Sequence, residues 1–383
     1  MQIYADLHIH SPFSIGTSRT MDLPALLATC RRKGIHVLGS GDALHPVWRE
    51  RCMSFEGDEV NIIIVPTAEV EDQHRIHHLI LMENFEACAT LAQMLAPFSR
   101  NLNSSGRPRV AATGEEIATL VHSVGGLIGP AHAFTPWTSL YARYSHVAEC
   151  YGKEQIDFLE LGLSADTSYG ACISELTGIP FLSNSDAHSP ELVKIGREWN
   201  CLEVSTCSSA GVLECLRRGR VVYNAGLFPE EGKYNRTACS RCYRQFLLEE
   251  AVEDRWRCPS DGGRIKKGVA DRVHELAGGE IQTRPAYHHL IPLGEIIQNV
   301  LGTSSPATQR CRNLHARFLS SLGTEIEILL ERTIDELQEI DERVAEAVAT
   351  LRTGDICLYP GGGGRYGTFS FEKRKGYCSH SSH

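Results

Sequence analysis

From residue 1 to about 228 the chain alternates short apolar runs with stretches of helical periodicity. Runs at 3–5, 36–38, 62–65, 76–81, 127–128, 158–161, 181–182 and 221–223 predict strands. Residues 23–32, 85–95, 115–124 and 212–218 carry apolar positions at helical spacing. Their stops are legible: Asp22 is placed to cap the first helix and Gly34 to end it, and Gly125-Gly126 and Gly219 end later ones. Strand alternating with helix implies a mainly parallel sheet with both faces covered, and seven or eight such units favour a barrel over an open sheet. A barrel of this kind carries its site at the C-terminal ends of the strands. Residues 100–109 read as a loop, and 227–233, with Pro229 and Gly232, as a boundary.

Beyond about 290 the chain is helical. Ile326, Leu330, Ile334, Leu337, Ile340, Val344, Val348 and Leu351 form a stripe at spacings of three and four, which predicts packing against the rest of the protein. Thr333 with Glu336 forms a potential capping box that would split the stripe, and Gly354 ends it. The Gly-rich turn 359–367 lacks the Lys-Ser/Thr of a phosphate-binding loop; it either presents N–H groups to a phosphate or makes a tight crossing. The expected architecture is α/β: a distorted (β/α)7 barrel over 1–228, a zinc-ribbon-like basic module over 229–285, a helical domain with the Gly-rich loop over 286–368, and a loose tail over 369–383.

Charge and composition narrow the function classes. A net charge of −9 argues against a wholly basic nucleic-acid coat. No signal peptide or apolar stretch of about 18 residues is visible, so a cytoplasmic location without membrane association is expected. Fourteen cysteines in that setting imply reduced thiols, most of them, such as Cys30, Cys88 and Cys215, as core residues.

The strand ends carry the chemistry. Asp6, His8 and His10 alternate along the end of the first run and are expected to share a face. Asp42, Glu69, His132, and Asp186 with His188 close four further runs. Imidazoles and carboxylates converging on one mouth suit Zn²⁺, Mn²⁺ or Fe²⁺. A multinuclear site of this kind hydrolyses phosphoesters without a Ser or Cys nucleophile. No nucleophile elbow, phosphate-binding loop or dinucleotide fingerprint offers another chemistry.

Cys239, Cys242 and Cys258 follow the spacing of a zinc ribbon, with Asp261 where a fourth Cys is usual. Three thiolates and a carboxylate can hold zinc. Residues 233–270 carry nine Lys or Arg against five acids, interleaved with Tyr243, Phe246 and Trp256. That composition fits a DNA-binding face, with Arg241, Arg244, Arg257, Lys266, Lys267 and, in the Gly-rich turn, Arg365 as candidate contacts.

The order Asp6-Leu-His-Ile-His10, Gly-Asp42, Glu69, His77-His78-Leu79, Pro130-Ala-His132 and Ser185-Asp-Ala-His188 resembles the polymerase and histidinol phosphatase (PHP) family. Longer stretches resemble the endonuclease Q family, among them Gly129 to Leu140, Phe158 to Asp166, Thr237 to Tyr243 and Pro360 to Gly367. The first resemblance implies metal ligands at His8, His10, Glu69, His78, His132, Asp186 and His188, with Glu69 bridging metals, His78 preferred to its neighbour, and Asp42 replacing a missing ligand. Catalysis would fall to Asp186, His188, Glu69 and His132. The second implies a DNA endonuclease that nicks 5′ of deaminated bases (hypoxanthine, uracil, xanthine) or abasic sites, leaving 3′-OH and 5′-phosphate. Zn²⁺ is the implied barrel and ribbon metal, with Mg²⁺ or Mn²⁺ also able to support activity. Phe134, Trp137 and Tyr141 are candidates for a pocket that stacks an extruded base. No sliding-clamp tail of the kind some relatives carry is seen. The competing functions are a small-molecule phosphatase of the histidinol-phosphate type and a catalytically silent PHP scaffold.

Overall fold

A computed structural model describes residues 1–55 and 62–371. Of the tail 369–383 expected to be loose, Phe369 and Ser370 instead belong to a strand paired antiparallel with Cys357–Tyr359, and 372–383 lie outside the described residues. The strands are β1 (Gln2–Asp6), β2 (Val37–Gly39), β3 (Ile63–Val65), β4 (Thr67–Glu71), β5 (His77–Leu81), β6 (Leu127–Pro130), β7 (Leu159–Glu160), β8 (Phe181–Leu182), β9 (Trp199–Glu203), β10 (Val221–Gly226), β11 (Ala238–Cys239), β12 (Ile265–Lys266), β13 (Ala286–His289), β14 (Cys357–Tyr359) and β15 (Thr368–Ser370). The expected helices form at Leu23–Lys33, Phe85–Leu95, Gly114–Ser123 and Ser209–Arg217. Asp22 accepts the Ala25 N–H as cap, and Gly34 ends the first helix in the left-handed region at φ 93°.

The large sheet runs β13-β10-β9-β1-β2-β3, beside smaller sheets β4-β5-β6 and β7-β8. β1 is parallel to β2 and antiparallel to β9. The sheets join through individual hydrogen bonds: Asp157 N to Ile128 O links the approach to β7 with β6, and Asn224 Nδ2 to Phe181 O links β10 with β8. The barrel is therefore broken into pieces rather than laddered throughout. β9 has no counterpart among the predicted runs, because Asn200 interrupts its apolar pattern. That residue is fully buried and ties β9 to β1 and to the residue after β8: its Nδ2 donates to Ala5 O at 3.1 Å and Ser183 O at 2.9 Å, and its Oδ1 accepts from Ser183 N at 2.8 Å.

One core lies between the sheets: Ile3, Ala5, Leu7, Val37, Leu79, Leu81, Leu127, Phe158 and Leu202. A second joins Ile9, Trp48 and Trp199 to Ile296, Phe318, Val344 and Val348, so the helical stripe shares its core with the barrel. The stripe is split into Glu325–Leu330, Ile334–Gln338 and Glu342–Thr353, and the Thr333 capping box is present. Residues Ala286–His289, expected to open the helical domain, instead extend the large sheet by pairing parallel with β10. The Gly-rich turn is a tight crossing: a Cβ on Gly361 would meet Gly232 O at 2.4 Å, and one on Gly363 would meet Cys239 O at 2.2 Å. No helix of the described residues is long and apolar enough to cross a membrane.

Candidate metal centre

His8 and His10 stand just beyond the end of β1, fixed by the pairing of Ile9 with Ala187. Each ring is gripped on its far nitrogen by a carboxylate. Glu160 takes His8 Nδ1 at 2.9 Å, and Asp42 takes His10 Nδ1 at 3.2 Å. Their Nε2 atoms are left buried without hydrogen-bond partners, as is Asp186 Oδ1. His10 Nε2 lies 3.1 Å from Asp186 Oδ1 and 3.5 Å from Glu69 Oε2. Glu69 Oε1 lies 2.8 Å from His77 Nδ1 and 3.0 Å from His132 Nε2. Three overlapping groups result, His8-His10-Glu69, His10-Asp186-His188 and Glu69-His77-His132, with the ligand atoms of each within 4.8 Å of one another. Burial of unpartnered donor atoms is costly unless a cation takes them, so the set fits two or more divalent ions.

Electrostatics agree. Burial alone would strip His8 of its proton, but Glu160 overrides it and lifts the pKa to about 9. Burial likewise opposes the charged forms of Glu69 and Asp186. Even so, His77, His132 and Arg107 hold Glu69 low, and His10, His8 and His188 hold Asp186 low. Both carboxylates are anionic and the imidazoles compensate them, as a cation would. The backbone is bent to make this possible: Asp42 (φ 51°), His132 (φ 33°) and Asp186 (φ 45°) all sit in the left-handed region. Such conformations cost of order 1–3 kcal/mol each and cluster where geometry serves chemistry. Gly162 abuts His132, where a Cβ would come within 2.7 Å of the His132 Cβ.

Several expectations are corrected. His78 is not in this centre; its neighbour His77 is. The hairpin register sets Glu71 opposite His77 and Val70 opposite His78, so His77 shares the inner face of Glu69 and Glu71. His78 points the other way, to Tyr151 and Asp72. Asp42 does not join the ligand set: its Oδ1 holds His10 and its Oδ2 accepts from Ser11 and Ser14. Asp6 turns away to accept from the amides of Ser185 and Gly196. Phe134 and Tyr141 are core residues, 2% and 0% exposed and stacked on each other, so they present no open face to a base.

Sequence reasoning missed Glu160, Arg107 and His77. Glu160 lies inside the apolar run 158–161 and closes β7, so the run hid it. It accepts from His132 N and Asn184 Nδ2 besides His8. Arg107, 2.9 Å from Glu69, lies in the loop and carries no local signal. The centre opens into a cavity of about 350 Å³ whose lining also includes Arg197, Lys233, Tyr234 and Tyr366.

In the ribbon, Cys239, Cys242, Cys258 and Asp261 converge within 4.8 Å. Cys242 and Cys258 sulfurs are 3.6 Å apart. Two ligands of a tetrahedral zinc with 2.3 Å bonds would lie roughly 3.8 Å apart. Arg241 Nη1 bonds Asp261 O, Arg244 lies over Phe246, and Arg257 Nη1 approaches Gly262 O. Lys267 pairs with Glu275 at 2.5 Å, and Arg365 is exposed on the Gly-rich turn. Trp137 is 42% exposed and stands outside the metal cavity. The Lys266 ammonium lies 3.5 Å from its ring centre, which joins the barrel loop to the ribbon.

The geometry has whole-chain counterparts. A crystal structure of the lesion-specific endonuclease PfuEndoQ from Pyrococcus furiosus is 40% identical, with a TM-score of 0.91 over 97% of this chain and 95% of that one. A structure of endonuclease Q in complex with a 27-mer duplex bearing an abasic lesion at the active site is 40% identical, with a TM-score of 0.94 over 97% of both. The chain belongs to the endonuclease Q family. As a member it is a metal-dependent hydrolase of the nuclease class. Residues 292–355 match the MJ0043 C-terminal domain family. The uncharacterized protein MJ0043 of Methanocaldococcus jannaschii is 44% identical over 252 residues, 64% of this chain but only 32% of that protein.

Proposed function

We propose that this endonuclease Q family member hydrolyses the DNA phosphodiester 5′ of an abasic site or of a deaminated base (hypoxanthine, uracil or xanthine), leaving 3′-OH and 5′-phosphate. The observation that carries the reading is the set of buried, unpartnered ligand atoms at one mouth, in a chain that matches over its length an enzyme captured on abasic duplex DNA. His8, His10, Glu69, His77, His132, Asp186 and His188 would hold the ions, which we take to be Zn²⁺, with Mn²⁺ or Mg²⁺ able to substitute.

Ions held there would supply Lewis acidity toward a phosphate and would lower the pKa of water. The residues do the rest. Glu160 and Asp42 fix the tautomers of His8 and His10, so that Nε2 of each faces the mouth. Arg107, anchored on Glu69, adds a permanent positive charge to the cavity lining, suited to a phosphate. Lys233 and Arg197 add charge to the lining of the same cavity. The ribbon, with zinc on Cys239, Cys242, Cys258 and Asp261, offers basic residues to the backbone of the duplex outside the mouth.

The test is a substrate panel: labelled duplexes with one abasic site, inosine, uracil or xanthine, an undamaged duplex, and histidinol phosphate. Incision confined to the damaged duplexes is expected. Turnover of histidinol phosphate without incision would replace this reading with a small-molecule phosphatase.

A further inference from the structure

Behind the catalytic strand lies a second convergence of ligand-type side chains that the nuclease centre does not use. Asp72 follows β4 and shapes the turn into β5: its Oδ1 accepts from His74 N at 2.7 Å and Ile76 N at 2.8 Å. Its Oδ2 is buried and has no hydrogen-bond partner. His78 leaves the outer face of β5, with Nδ1 held by the Tyr151 hydroxyl at 2.7 Å and Nε2 buried without a partner. The two atoms face each other at 3.4 Å. Cys150, a buried free thiol on the short helix Ala148–Tyr151, brings its sulfur to the same point. All three ligand atoms lie within 4.8 Å of one another.

We infer that Asp72, His78 and Cys150 form a buried structural metal site, suited to Zn²⁺ and separate from the nuclease centre. A turn needs only one carboxylate oxygen, and Asn would supply it without leaving an anionic oxygen in the core. A histidine ligand held on its other nitrogen, beside a carboxylate oriented by two amides, is the support that ligating groups receive. The separation fits as well: two ligands at 2.0–2.1 Å from a tetrahedral zinc lie roughly 3.3 Å apart. Sulfur, nitrogen and oxygen donors together favour zinc over Mg²⁺. Space is kept clear by Gly114, where a Cβ would come within 2.7 Å of the Cys150 sulfur and 3.0 Å of His78 Cε1. Binding the ion releases the Cys150 proton to solvent. The bound ion ties β5 from behind to the helix carrying Cys150, while His77 projects from the front of the same strand. This inference does not depend on the nuclease reading.

Zinc per chain is measured on purified full-length protein, wild type and variants. Asp72→Asn, which keeps the turn, and Cys150→Ser are each expected to lose one equivalent with unchanged circular dichroism. Cys239→Ser, in the ribbon, loses a different equivalent, so the Cys150→Ser/Cys239→Ser double variant loses two. Wild-type stoichiometry in both Asp72→Asn and Cys150→Ser would overturn the site. Should a variant misfold, cadmium-113 NMR of the wild type decides: a resonance from a one-thiolate site beside the three-thiolate ribbon is expected, and its absence overturns the inference.

Discussion

Glu160 holds His8 with both carboxylate oxygens, 3.0 and 2.9 Å from Nδ1. The grip leaves His8 with one free nitrogen, directed at the mouth. Glu160→Gln should therefore weaken metal binding about 10–100-fold, and added metal should restore incision. Metal titration of incision checks this; loss of activity at every metal concentration would instead mean that Glu160 acts in the reaction itself.

His77, not His78, faces Glu69. His77→Ala should lower the metal content of the centre and incision together, measured on one preparation by metal analysis and single-turnover nicking. Full metal content and wild-type incision would remove His77 from the centre.

How much of this was legible follows from strand geometry. His8, His10, His132, Asp186 and His188 are legible because each follows an apolar run, and strand ends converge in a barrel; Glu69 reads the same way in sequence but lies within β4. His77 and His78 are adjacent, so they point to opposite faces, and only the pairing of Glu71 with His77 decides between them. The alternation was present in the sequence, since Leu79 and Leu81 pack in the inner core with His77 while Ile76 and Ile80 pack outside. The side to which that pattern turned was not. Phe134 and Tyr141 looked like a stacking pocket because aromatic residues follow a ligand, yet aromatics fill cores as readily as they line pockets.

Trp137 is separated from the metal cavity and carries Lys266 on its face. Trp137→Ala should weaken duplex binding a few-fold, because it removes the cation–π contact of about 0.5–2 kcal/mol that holds Lys266 in place. The loss should be equal on inosine and abasic duplexes, measured by equilibrium binding. A defect confined to inosine would return Trp137 to a role in reading the base.

Deep in the contact between the first helix and the helical domain, Glu325 takes Lys33 Nζ at 2.6 Å and His315 Nε2 at 3.0 Å. Burial opposes its charge, but Lys33 and His315 hold its pKa at about 2, against an ordinary 4.5. A depressed carboxylate stabilises the fold above its unfolded pKa and loses that contribution as pH falls through the folded value. The contribution of about 3 kcal/mol should be complete above pH 4.5 and vanish toward pH 2. Denaturant unfolding of wild type and Glu325→Gln should diverge at pH 6 and converge near pH 2. A pH-independent difference would contradict it.

We propose a metal-dependent, lesion-specific nuclease built on the convergent His and carboxylate ligands. Its most direct test is single-turnover incision of a duplex with one abasic site by metal-stripped enzyme, before and after Mn²⁺ or Zn²⁺ is restored. No incision is expected without metal, and with metal one nick at the phosphodiester 5′ of the lesion. Incision by stripped enzyme, or equal cutting of the undamaged duplex, would contradict it.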